Sequence, residues 1–218
     1  MVPSLPRFNA FEALGAEPLR FGFIVWPAVM AARDIAVASV ASVLGIGAAL
    51  LVGYLRKPRI QIAKKVAVPG LGNIDVKSEV SAGKTHVTLD WNALLGIPAR
   101  LPFCSAVITE TGTIYVSGAV GARKGSDGKP TVVPGGPEKE TVQTLRIIEA
   151  CLKACGAGLD NVTMVHAYLV EYTSERFQAM NAGYMEVLGA RPLPARICTG
   201  TSHVGLGGSV EMDAIAQL

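Results

Sequence analysis

The sequence predicts an α+β fold, one mixed sheet with two helices on a single face, preceded by one membrane-spanning helix. Three observations predict it. Short β-rich runs alternate with two apolar-striped segments after residue 100. Glycines, prolines and capping residues punctuate those segments at the expected places. Finally, Ile35 to Leu55 runs for 21 residues without a charge.

The chain has 218 residues, room for one ordinary domain plus additional segments. Its net charge is +3, too weak and too dispersed for a nucleic-acid surface. Half of the residues are hydrophobic and only 17% are charged, an apolar balance that points towards a membrane. The cysteines (Cys104, Cys151, Cys155 and Cys198) have neither CxxC nor zinc-ligand spacing. Cys151 and Cys155 fall on one face of a predicted helix and read as small buried hydrophobes, so a reducing compartment is expected.

Residues 1–34 form an arm with three prolines before residue 20, followed by the aromatic, apolar segment Phe21 to Ala32. That segment is too short to cross a bilayer; it suits either the membrane interface or packing against a neighbour. Residues 35–55 are the predicted span. A helix of that length extends about 31 Å, close to a hydrocarbon core of about 30 Å. The alternative is a helix buried in a water-soluble core, which needs cover on every side. Gly45, Ala49 and Gly53 follow small-xxx-small spacing, so one face permits close approach of another helix. A signal peptide would carry its apolar core nearer Met1, so a retained anchor is expected. Arg56, Lys57, Arg59, Lys64 and Lys65 crowd the C-terminal flank. By the positive-inside bias the following domain faces the cytoplasm, matrix or stroma.

Residues 56–100 read as a linker or strap of short strands, with IQIAKKVAV and KTHVTLDW partly alternating between the turns PGLGN and SAGK. From residue 101 to 218 the pattern is regular. Cys104 to Thr109 and Thr113 to Ser117 make a hairpin across Thr111-Gly112. A loop rich in glycine and proline spans Gly118 to Gly136. A helix then opens with Pro137 and carries Val142, Leu145, Ile148, Leu152 and Cys155 as one apolar stripe, ending at Gly156. Val162 to Val170 is a strand, and Ser174 can cap a second helix reaching about Leu188. Two last strands, joined by a glycine-rich turn, are expected as neighbours. Arg196 lies on the first; Glu211 and Asp213 share one face of the second. An arginine and an acid so placed can hold a small carboxylate and a water, or can simply pair with each other across the sheet.

The pieces PFCSAV, YVSG, GAGLDNV, FQAMNAGYMEVLG, LPARIC and VEMDAIA, in this order and spacing, resemble the RidA/YjgF family of enamine/imine deaminases over residues 101–218. The resemblance implies a RidA-like (chorismate-mutase-like) fold and a homotrimer with clefts between subunits, needing no cofactor and no metal. Such clefts hydrolyse 2-imino acids to the keto acid and ammonia. By the same resemblance Arg196 clamps the substrate carboxylate, Glu211 positions water or the leaving nitrogen, and Cys198 offers thiol and backbone contacts. Ser117, Asn181 and Phe103 stand at substrate-binding positions. Each also has a bland reading: Ser117 as a turn former, Asn181 as a bridge, Cys198 as core, Glu211 and Asp213 as solvated acids. His86, His166 and His203 are expected to be structural.

Departures from the family pattern thin the polar surroundings of the clamp. Phe103 replaces the usual Tyr, Leu101 a Gly, Ala119 a Gln, and Ile197 a small residue. Two functions are therefore weighed, and the first is preferred because soluble metabolites need no anchor. One is an accessory subunit of a multisubunit membrane complex, contacting lipid and other subunits, in an organellar (mitochondrial) inner membrane with its domain on the matrix side. The other is a membrane-tethered 2-iminobutanoate/2-iminopropanoate deaminase. An RNA-cleaving role, also claimed for this family, gains nothing from so weak a charge.

Overall fold

The computed structural model describes residues 60–70 and 72–218. The expected arm, interfacial segment and membrane span (residues 1–55) lie outside the described residues. Among the described residues no helix is long and apolar enough to cross a membrane.

Residues 57–218 form one compact unit. Its strands are β1 (Lys65–Val68), β2 (Gly72–Ser81), β3 (Lys84–Leu89), β4 (Ala106–Ile108), β5 (Thr113–Val120), β6 (Ala122–Lys124), β7 (Pro130–Val132), β8 (Val162–Val170), β9 (Ala195–Thr201) and β10 (Val210–Gln217). Its helices are α1 (Trp91–Leu95), α2 (Gly136–Ala154) and α3 (Ser174–Leu188). Eight strands make one mixed sheet in the order β1-β2-β3-β4-β5-β10-β8-β9; β6 and β7 form a separate small hairpin inside the expected glycine- and proline-rich loop.

Residues 56–100, expected as a strap, add three strands to this sheet. The ten-residue β2 serves two partners: Gly72–Asp75 pair with β1 and Val76–Ser81 with β3. The chain leaves β3 through α1, whose N-terminus is capped by Asp90 Oδ1 accepting from the amides of Asn92 and Ala93. Gly96 ends it in the left-handed region, at φ 74°.

The alternation of the strands explains the core. Ile114 and Val116 on β5, Val165, Ala167 and Leu169 on β8, and Val210, Met212 and Ala214 on β10 are all buried on one face. Helices α2 and α3 cover that face, and the predicted stripe Val142, Leu145, Ile148, Leu152 and Cys155 is buried throughout. The cap of α3 is Thr173, whose hydroxyl accepts from Arg176 N, one residue before the expected Ser174.

One expectation is corrected. β9 and β10 are not neighbours: β9 lies parallel to β8 at the sheet edge, and β10 inserts between β8 and β5. The cause is α3. It carries the chain back over the sheet, so β9 re-enters in the direction of β8, as a helical crossover requires. The last strand then fills the remaining gap as an antiparallel partner of both β5 and β8.

Candidate active site

Register fixes which way each predicted residue faces. Arg196 is level with Val165, and Cys198 with Ala167. Both partners are buried beneath the helices, so Arg196 and Cys198 point to the helix side. Glu211 and Asp213 alternate with the buried Val210, Met212 and Ala214, and therefore face the open side. The two halves of the expected site thus lie on opposite faces of one sheet, two strands apart.

On the helix side, the guanidinium carbon of Arg196 sits 4.6 Å from the Tyr184 ring centre and 5.7 Å from that of Phe177. Both rings belong to α3, at positions i and i+7; Asn181, at i+4, shares their stripe. Among the described residues Arg196 forms no ion pair, which removes the simple cross-sheet pairing with Glu211 or Asp213. The aromatic shelf orients the guanidinium through cation–π attraction and leaves its planar donor fork for a carboxylate. Cys198 Sγ contacts Met180 Sδ at 3.9 Å. Burial raises the Cys198 pKa and nearby Arg196 opposes the rise, so at neutral pH the group is a thiol that can donate. Tyr184, 4% exposed, is likewise raised by burial against an opposing effect of Arg196. Its hydroxyl is buried without a hydrogen-bond partner among the described residues.

On the open side, Ser117 Oγ donates to the Cys104 carbonyl at 2.8 Å, tying β5 to the loop that bears Phe103. Phe103 is 47% exposed and meets Trp91 edge-on, with ring centres 6.0 Å apart. Gly118 allows the Glu211 carboxylate to lie against the β5 backbone, since any Cβ there would collide with Glu211 Oε1. Glu211 Oε2 accepts from Gly205 N at 3.2 Å. Ser117 thus holds the loop next to Phe103, and Glu211 lies against Gly118, the next residue of β5. Beside it, where a bulge interrupts the β5–β10 register, His166 Nδ1–H donates to Asp213 Oδ1 at 2.6 Å.

Two residues of this region, Tyr184 and Glu140, were not singled out from the sequence, nor was the pairing of His166 with Asp213. Tyr184 could have been found from its spacing to Phe177 and Asn181. The His166–Asp213 pair could not, because only the β8–β10 register brings the two together. Glu140, 4% exposed, accepts from the amides of Ser209 and Val210 and so fixes the start of β10, one residue before Glu211. Among the described residues no three His, Cys, Asp or Glu side chains converge as a metal site.

The chain is 33% identical over 115 residues to the RutC family protein UK114 of Drosophila melanogaster, covering 53% of this chain and 78% of that protein. It is 33% identical over 120 residues to the 2-iminobutanoate/2-iminopropanoate deaminase of Mus musculus, covering 55% of this chain and 84% of the relative. Among solved structures, yeast Mmf1 aligns with a TM-score of 0.48 at 26% identity, over 56% of this chain and 92% of that one. The family model described as Endoribonuclease L-PSP matches residues 96–218, more than half of the sequence. This chain belongs to that family, the RidA family.

Proposed function

We propose that the protein is an imine deaminase acting on 2-iminobutanoate and 2-iminopropanoate, with each site completed by two copies of the chain. The observation that carries this is the Arg196 guanidinium, held on the Tyr184 ring without a carboxylate of its own. The names of the mouse and rat relatives supply the substrate class. Because Arg196 and Glu211 lie on opposite sheet faces, one copy supplies the clamp and another the acid. The open face offers an apolar surface for such association, with Tyr115 50% and Ile197 51% exposed. A closed trimer is the assembly this reading requires.

In the assembled cleft, Arg196 binds the substrate carboxylate in a bidentate grip. Glu211 takes a proton from water as its oxygen attacks the imine carbon and passes it to the nitrogen, giving the carbinolamine. It then carries the carbinol hydroxyl proton to the nitrogen as the C–N bond breaks and the C=O forms. Ammonia leaves and the keto acid remains. The Cys198 thiol and Ser117 hydroxyl supply neutral hydrogen bonds. Phe103 leaves the pocket without a phenol, so the rate rests on the clamp and the acid.

Turnover of 2-iminopropanoate by the full chain in mild detergent tests the proposal. Arg196→Ala is expected to lower kcat/KM by about 100-fold or more, as lost substrate orientation does. Wild-type turnover no faster than buffer, or an unaffected Arg196→Ala enzyme, rules it out.

The membrane placement belongs to the same proposal: Ile35–Leu55 tethers the enzyme, and its basic flank keeps the body on the matrix side. Retention in the membrane after alkaline carbonate washing is the expected outcome. An accessory subunit of a membrane complex rests on that apolar segment alone, whereas the relatives' names favour the deaminase. Co-migration with a large complex, without imine turnover, reverses the preference.

A further inference from the structure

The loop before β4 and the strands β2 and β3 enclose an open cleft of about 1370 Å³, beside Phe103 and Ser117. Inside it the Cys104 thiol and the His86 ring face each other, Sγ to Nδ1 at 3.8 Å. His86 stands on β3, outside the residues that match the family, and Cys104 stands inside them. The pair thus arises where the added strands meet the family domain. Neither residue has a part in the deaminase chemistry above.

We infer that Cys104 and His86 form a covalent site for soft electrophiles, specifically α,β-unsaturated carbonyl compounds. With its proton on Nε2, His86 accepts the Cys104 proton at Nδ1 as Sγ attacks the β-carbon. The carbon–carbon π pair moves towards the carbonyl oxygen, giving an enolate. The imidazolium then returns the proton to the α-carbon. One S–C bond forms, no group leaves and no oxidant or reductant is needed, so addition closes its balance on these two side chains. Long sulfur–nitrogen spacings of this kind tighten when substrate binds.

The walls suit such a ligand. Trp91 and Phe103, packed edge to face, and Ile97 present apolar surface to its carbon skeleton. Arg100 lines the cleft and offers cationic donors to the oxygen that gains charge. Cys151 and Cys155 are no rivals. Both are buried, and burial holds the Cys155 thiol up at about 12 and that of Cys151 higher still.

The experiment uses the full chain in mild detergent and N-ethylmaleimide in limiting amount, with each cysteine followed by peptide mass spectrometry. Cys104 is expected to react at least about threefold faster than Cys198, the other partly exposed thiol, because Cys104 has an imidazole base beside it while Cys198 faces only the non-basic thioether of Met180. His86→Ala is expected to bring Cys104 down to the Cys198 rate while leaving Cys198 unchanged. Should His86→Ala fail to fold, His86→Asn serves, and the wild-type ranking needs no variant. Equal wild-type rates at the two thiols, or a folded His86 variant whose Cys104 reacts at the wild-type rate, overturns the inference. The result is independent of whether the protein hydrolyses imines.

Discussion

Arg196 lies over the face of Tyr184, its guanidinium carbon 4.6 Å from the ring centre, while the phenol oxygen beneath is buried without a partner. The ring and the hydroxyl of Tyr184 therefore do different things. Tyr184→Phe keeps the shelf and removes an unsatisfied group, so stability is expected to hold or rise slightly. Tyr184→Leu removes the shelf; KM for the imino acid should rise more than kcat falls, because the clamp is loosened in ground and transition states alike. Steady-state kinetics and Tm on the two variants separate these effects.

Gly118 leaves room for the Glu211 carboxylate. Gly118→Ala is expected to push Glu211 off its position and cut turnover by at least about tenfold, with little loss of stability, because the atom displaced is the mobile end of the Glu211 side chain. Glu211→Gln should lose turnover with the fold likewise intact. Turnover measured alongside thermal melts checks that both losses come from the acid and not from unfolding.

Glu140 is buried, and its carboxylate accepts from two backbone amides at the start of β10. Glu140→Gln retains one acceptor oxygen but no charge, and a cost of about 1–3 kcal/mol is expected, since hydrogen bonds to charged groups are the stronger kind. Urea unfolding measures it. Hydrogen exchange should show faster opening at Ser209 and Val210 than along β8.

The buried thiols of α2 set an alkaline limit on stability. Desolvation raises Cys155 from its usual 9 to about 12, and raises Cys151 further. Raised acid groups hold their protons in the folded state. Their contribution is complete below pH 9 and is lost as pH climbs from there towards 12, because only the unfolded chain releases the protons. Tm should fall between pH 9 and pH 11, and Cys155→Ala should flatten that fall. A slope unchanged by the substitution assigns the alkaline loss to other groups.

The bounds of β8 and α3 could be read from the sequence because each carries an undiluted period: alternation over Val162–Val170, and a capped helix closed by Gly189. β2 could not. Its residues GNIDVKSEVS bury only Ile74, for this strand lies near the sheet edge and is mostly exposed. The neighbours of β10 were equally hidden, since strand order depends on how α3 folds back and not on any local pattern. That one step separates Arg196 from Glu211. Both residues were legible as chemistry, but their separation was not.

If the protein is the deaminase proposed, a sheet that shows its cation on one side and its acid on the other makes every catalytic unit a loan between neighbours. Two damaged genes could then rescue each other. Chains carrying Arg196→Ala and chains carrying Glu211→Gln, each inert alone, would regain roughly one intact cleft in four when unfolded together and reassembled in equal amounts.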